Sequence, residues 1–129
     1  VARGLSGQRD EWRIVEFPAR KKPISRFVRQ DLTNEQQKAV GAYLGKCQGH
    51  TKGPFWNSYK FKKLTDSEGV WEMKPSAQVR LLGFFPPDKK KTFVLTNGFI
   101  KKQNRTPPQE IKKAERIRQQ YLRAIEGGE

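Results

Sequence analysis

Three β-prone runs crowd into residues 70 to 100, and they constrain this chain more than any other feature: "VWEMK" (70–74), "VRLLGFF" (79–85) and "TFVLTNGFI" (92–100). Their links, "PSAQ" and "PPDKKK", are short and turn-like, which favours consecutive antiparallel pairing. Asn97-Gly98 is a hairpin signal by composition. It is set aside here because the runs on either side are too short to form separate strands.

The rest of the chain supplies elements to cover such a sheet. "WRIVEF" (12–17) is rich in aromatic and β-branched residues and reads as a first strand, stopped by Pro18 and the "ARKKP" run. "ISRFVRQ" (24–30) reads as a short helix with Ile24, Phe27 and Val28 facing inward. In "TNEQQKAVGAYLGKC", Thr33 and Gln36 have capping-box spacing, and Ala39, Val40, Tyr43, Leu44 and Cys47 form a stripe at helical spacing. Gly49, Gly53 and Pro54 end that helix, and "WNSYKFKKLTDSEG" carries no clear element. The last segment, "TPPQEIKKAERIRQQYLRAI", places Thr106 at the N-cap, Pro107 at the first helical position and Gln109 three residues after the cap. Ile111, Ala114, Ile117, Tyr121, Leu122 and Ile125 then line one face. The order is β-α-α-β-β-β-α, an α+β domain with a twisted, mainly antiparallel sheet and helices packed on it. Residues 1–129 read as one domain, with residues 1–11 as a flexible lead.

Charge narrows the partners. The chain carries 27 Lys+Arg against 13 Asp+Glu, a net +14. Residues 1–30 hold eight cations and three anions, and residues 70–105 hold eight and two, so the excess sits in those two regions. A field of this sign attracts polyanions, of which nucleic acid is the commonest. No apolar run approaches membrane-spanning length, and "VARGLSGQRDEWR" lacks the apolar core of a secretory signal, so a cytoplasmic protein without a membrane partner is expected. The single cysteine, Cys47, allows no intramolecular disulfide and no cysteine-based zinc site. It sits on the apolar stripe of its helix and reads as a buried thiol. No metal or cofactor site is expected.

Four pieces in order carry a resemblance: a "WEMK" strand, an Arg-bearing "VRLL" strand, a strand ending "GFIKK", and "TPPQEI" opening the last helix. Across residues 55–123 the chain resembles the phage Gp49-like branch of the HigB toxins, within the RelE/ParE toxin superfamily. The resemblance implies a small RelE-like domain. RelE and HigB members are ribonucleases that enter the ribosomal A site and cut messenger RNA without a metal. It also implies a cognate antitoxin, often with a helix-turn-helix, that neutralises the toxin and through which alone operator DNA is contacted. ParE members share the fold but act on DNA gyrase, so fold alone does not settle activity.

Matched to those motifs, Lys74, Arg80 and Lys101 are the catalytic candidates. Metal-free RNA cleavage must deprotonate the 2′-hydroxyl, stabilise extra charge on the phosphate and protonate the leaving 5′-oxygen. Cations aimed at the phosphate supply the electrostatic part. Arginine never serves as a base near neutral pH, whereas a lysine does if its pKa falls. Lys74 and Lys101 are therefore the acid/base pair and Arg80 the phosphate stabiliser. Lys102 and Arg105, with Lys62 and Lys63 in "FKKL", are RNA-backbone contacts. Glu72 and Asn97 are supporting residues: Glu72 orients Lys74 or an arginine, or else is an ordinary cross-strand partner. Asn97 stands where many relatives carry His and cannot relay a proton. The only histidine, His50, reads as a surface residue. Whether Lys74 and Arg80 share a face depends on strand register, since a slip of one residue separates them. Phe84, Phe85 and Phe99 are base-stacking candidates, with core packing the expected fate of at least two, and Trp12, Trp56 and Trp71 read as core. The alternatives to a nuclease are a ParE-like gyrase inhibitor and a non-toxic basic nucleic-acid-binding protein.

Overall fold

The computed structural model describes residues 11–48 and 59–127. Expectations that fall on the remaining residues lie outside them, among them the lead before residue 11, the helix stop at Gly49 to Pro54, His50 and Trp56. Eight elements follow in order: β1 (Arg13–Glu16), α1 (Pro23–Asp31), α2 (Asn34–Cys47), β2 (Phe61–Lys63), β3 (Trp71–Met73), β4 (Val79–Phe84), β5 (Thr92–Ile100) and α3 (Pro108–Glu126). The five strands form one sheet in the order β1-β5-β4-β3-β2, antiparallel except for the parallel pair of β1 with β5. The expected order lacked one element, the edge strand β2 in "FKK", which pairs antiparallel with β3. β5 runs straight through Asn97-Gly98.

Alternation along the strands builds two cores. Val79 and Leu81 of β4 face α1 and α2, in a cluster with Ile24, Leu32, Val40, Cys47, Phe61, Met73, Phe93 and Leu95. Leu82 and Phe84 face the other way, beneath Ala114 and Tyr121 of α3. Gly98 is required by this packing: a Cβ there would stand 2.5 Å from the Phe27 ring, so the missing side chain lets α1 lie close on β5. Phe84 and Phe99 are buried as expected. Phe85 is half-buried in an aromatic cluster with Trp12, Phe61, Trp71 and Phe93. Both described tryptophans are half-buried at its margin.

The helix starts are satisfied in three different ways. α2 has the expected capping box, with Thr33 Oγ1 accepting from Gln36 N–H and Gln36 Oε1 from Thr33 N–H. α1 has no side-chain cap of its own, because Lys22 before it is left-handed (φ 47°). The Glu16 carboxylate at the end of β1 replaces that cap, accepting from the Ile24 N–H at 2.7 Å and the Ser25 N–H at 3.2 Å, and its charge complements the helix dipole. α3 begins one residue later than expected, with Pro107 in the N-cap position and no side-chain cap. Thr106 is not the cap; its hydroxyl is turned toward the sheet.

Candidate functional site

The open end of the sheet lies beside the start of α3, and register decides what gathers there. Lys62 of β2 pairs with Glu72 of β3, Glu72 with Leu82 of β4, and Leu82 with Asn97 of β5. These four form one row on the face that α3 covers. The next row belongs to cations. The β3–β4 register, carried one step past Met73↔Leu81, sets Lys74 opposite Arg80, and Arg80 pairs with Phe99. Lys74 stays in the sheet's hydrogen bonding, donating its N–H to Lys60 O at 2.8 Å. Lys101, two residues beyond Phe99, donates its N–H to Gln78 O at 2.7 Å. By strand alternation Lys62, Lys74, Arg80 and Lys101 all share the face of Leu82 and Phe99.

Ile111 and Ala114 of α3 pack on Leu82 and Phe99 of that face, while Lys62 stays exposed and Lys74 and Lys101 are half-buried beside them. Three hollows that share lining residues lie there. One, about 540 Å³, runs between β2 and the start of α3 and is lined by Lys62, Lys63, Lys101, Arg105 and Thr106 among others. The second holds Arg80, Lys101, Lys102 and Asn104. The third holds Tyr59, Lys60, Lys74, Ser76 and Arg80. Lys62, Lys63, Lys74, Arg80, Lys101, Lys102 and Arg105 thus all line these neighbouring hollows, with Arg80 common to the last two. The lysines of "DKKK" are not part of it; they lie at the β4–β5 turn, where Asp88 accepts from the Tyr121 hydroxyl at 2.7 Å.

Arg80 is 8% exposed and rigidly held. Its Nη1 donates to the carbonyls of Ser76 at 3.0 Å and Val79 at 2.9 Å, while its Nε is buried without a partner. The guanidinium is thus fixed by backbone carbonyls. Partial burial pushes the Lys74 ammonium below the ordinary lysine value, and repulsion from Lys62, Arg80 and Lys101 lowers it further, against the opposing pull of Glu72.

Glu72 is fully buried. Its Oε2 accepts from the Thr106 hydroxyl, and its Oε1 has no hydrogen-bond partner. It is more than a cross-strand partner, because it anchors the approach to α3 and places negative charge beneath the lysines. Asn97 is a second anchor. Its Nδ2 donates to Glu110 O at 3.2 Å and Glu110 Oε1 at 3.0 Å, and its Oδ1 accepts from Thr96 Oγ1. Buried and fully engaged, it holds the first turn of α3 against β5. Tyr59, the aromatic leading the basic run "YKFKK", is a further residue at this face that the sequence reading did not single out; it lines the hollow that holds Lys74 and Arg80. Among the described residues no three His, Cys, Asp or Glu side chains come together as a metal cluster, and no helix is long and apolar enough to cross a membrane.

An open, mostly antiparallel five-stranded sheet between helices is the architecture of a small RelE-like α+β domain. The sequence matches the family described as Phage derived protein Gp49-like (DUF891) over residues 16–119, and the chain belongs to that family. The family lies within the RelE/ParE toxin-like group, which supports a toxin role in general and suggests an antitoxin as partner. No curated protein matches the chain.

Proposed function

We propose that the protein is a ribosome-dependent endoribonuclease toxin that cuts messenger RNA in the A site, held in check by its antitoxin. The observation that carries this reading is the convergence of Lys74, Arg80 and Lys101 on one open sheet face. Cations gathered this closely, one of them fixed by backbone carbonyls, suit the charge that builds on a phosphate in a pentacoordinate transition state.

The chemistry follows from the placement. Lys74 in its neutral form takes the 2′-hydroxyl proton, and the 2′-oxygen attacks the adjacent phosphorus. At the ordinary lysine value only about one side chain in a few thousand is neutral at pH 7, so the lowered value enlarges the competent fraction. Arg80, held by Ser76 and Val79, meets the charge that grows on the non-bridging oxygens. The Lys101 ammonium protonates the 5′-oxygen as the P–O5′ bond breaks, leaving a 2′,3′-cyclic phosphate and a 5′-hydroxyl. Lys62, Lys63, Lys102 and Arg105 hold flanking phosphates along the groove. No step requires a metal or cofactor.

Brief expression in a bacterium followed by mapping of new RNA 5′ ends tests this reading. The expected result is cuts confined to translated frames in fixed codon phase, lost in the Lys74→Ala/Arg80→Ala/Lys101→Ala variant. Intact messages with altered DNA supercoiling would instead assign the protein to gyrase.

A further inference from the structure

Tyr59 is 80% exposed, against 39% for Val15, the other exposed large apolar side chain among the described residues, and it stands at the edge of the cationic cluster. Its backbone is well placed for a fixed role. The next residue, Lys60, offers its carbonyl to two donors, the Lys74 N–H at 2.8 Å and the Tyr43 hydroxyl at 3.4 Å, which tie the turn to β3 and α2. The ring lines the same hollow as Lys74, Ser76, Ala77 and Arg80, with the Lys74 ammonium 5.7 Å from its centroid. That hollow is about 210 Å³. An exposed aromatic presented from tied backbone beside phosphate-seeking cations has the composition of a single-strand platform, on which a base stacks while its backbone is held by charge.

We infer that Tyr59 is a base-stacking residue that receives the nucleobase next to the phosphate that Arg80 meets, beside Lys74, in single-stranded RNA. The inference rests on the nuclease reading of that cluster and adds to it a positioning contact that the cations cannot make. Charge alone fixes the phosphate but leaves the nucleotide free to turn about it. A stacked base removes that freedom and brings the 2′-hydroxyl into line with the phosphorus. Stacking tolerates any base, so Tyr59 sets position and not sequence.

The test uses the purified full chain with a short single-stranded RNA carrying 2-aminopurine, whose fluorescence reports stacking, and end-labelled for anisotropy, which reports binding. The wild type and Tyr59→Phe should change the 2-aminopurine signal equally on binding. Tyr59→Leu and Tyr59→Ala should lose that change and bind about 5- to 100-fold more weakly, the range spanned by one base–aromatic stack. Because the side chain is exposed, these variants should keep the wild-type circular dichroism. An unchanged signal in Tyr59→Ala, while Lys74→Ala/Arg80→Ala loses affinity, would overturn the stacking role and leave the cationic site standing. A wild type that fails to bind the RNA at low salt would overturn both. If Tyr59→Ala keeps the RNA signal and loses the affinity for an acidic protein partner, the ring belongs to a protein interface and the inference falls.

Discussion

The Thr106 hydroxyl donates to Glu72 Oε2, tying the approach to α3, two residues before its start, to the middle of β3. Sequence spacing makes Thr106 a helix cap, but Pro107 and Pro108 move the helix start and free the hydroxyl for the sheet. The bond satisfies one oxygen of a fully buried carboxylate whose other oxygen has no partner.

Thr106→Val therefore leaves Glu72 with neither oxygen satisfied, and should destabilise the fold by about 1–3 kcal/mol. In the Glu72→Gln background the same change should cost less, because a neutral side chain carries a smaller desolvation penalty. Urea unfolding of the four proteins in this cycle measures the coupling. Strict additivity would mean that the bond contributes nothing specific.

Two substitutions should move the pH–activity profile in opposite directions. With Lys74 as the proposed base, competent when neutral, activity should rise with pH and level off above the lowered lysine value. Removing a repelling neighbour with Lys62→Met favours the ammonium, raises that value and shifts the rising limb to higher pH. Glu72→Gln removes the attraction that opposes the shift, so the limb moves to lower pH. Cleavage rates followed from neutral pH up through the lowered lysine value test both signs. Shifts in the same direction would exclude Lys74 as the group that titrates.

Arg80→Lys keeps the charge but cannot reproduce the two hydrogen bonds that Nη1 donates to the Ser76 and Val79 carbonyls while still facing the groove. Cleavage should fall by about 100-fold or more, with RNA affinity changed far less, the pattern expected when a transition-state donor is lost. A lysine variant with full activity would reduce Arg80 to a point charge.

Gly98→Ala should destabilise the protein by about 1–3 kcal/mol through the clash with Phe27, without touching any cation of the site. Thermal unfolding reads this directly, and a neutral outcome would mean that α1 shifts at no cost.

How much of this was legible in the sequence varied with the physics involved. Local signals read well. The capping box at Thr33 and Gln36 and the β run from Thr92 to Ile100 stand in the structure as expected, because short-range hydrogen bonding and side-chain alternation determine them. β2 was missed because three residues, Phe61 to Lys63, are too few to show a period, and only pairing with β3 makes them a strand. The gathering of Lys74 with Arg80 was not readable either. It depends on which residue of β3 faces which of β4, a choice made by packing Met73 and Leu81 into one core and Leu82 into the other. Asn97 was read as a polar substitute in a proton-relaying position; its partners, Thr96 and Glu110, make it a helix anchor that only tertiary structure reveals.

The account stands most directly on whether the cationic face cuts RNA. Purified protein added to ribosomes paused on a defined message, with product ends analysed chemically, decides it. The prediction is a cut within the A-site codon that leaves a 2′,3′-cyclic phosphate and a 5′-hydroxyl, and that disappears in the Lys74→Ala/Arg80→Ala/Lys101→Ala variant while its fold is retained. An uncut message with the wild-type protein, or full cutting by the triple variant, would contradict it.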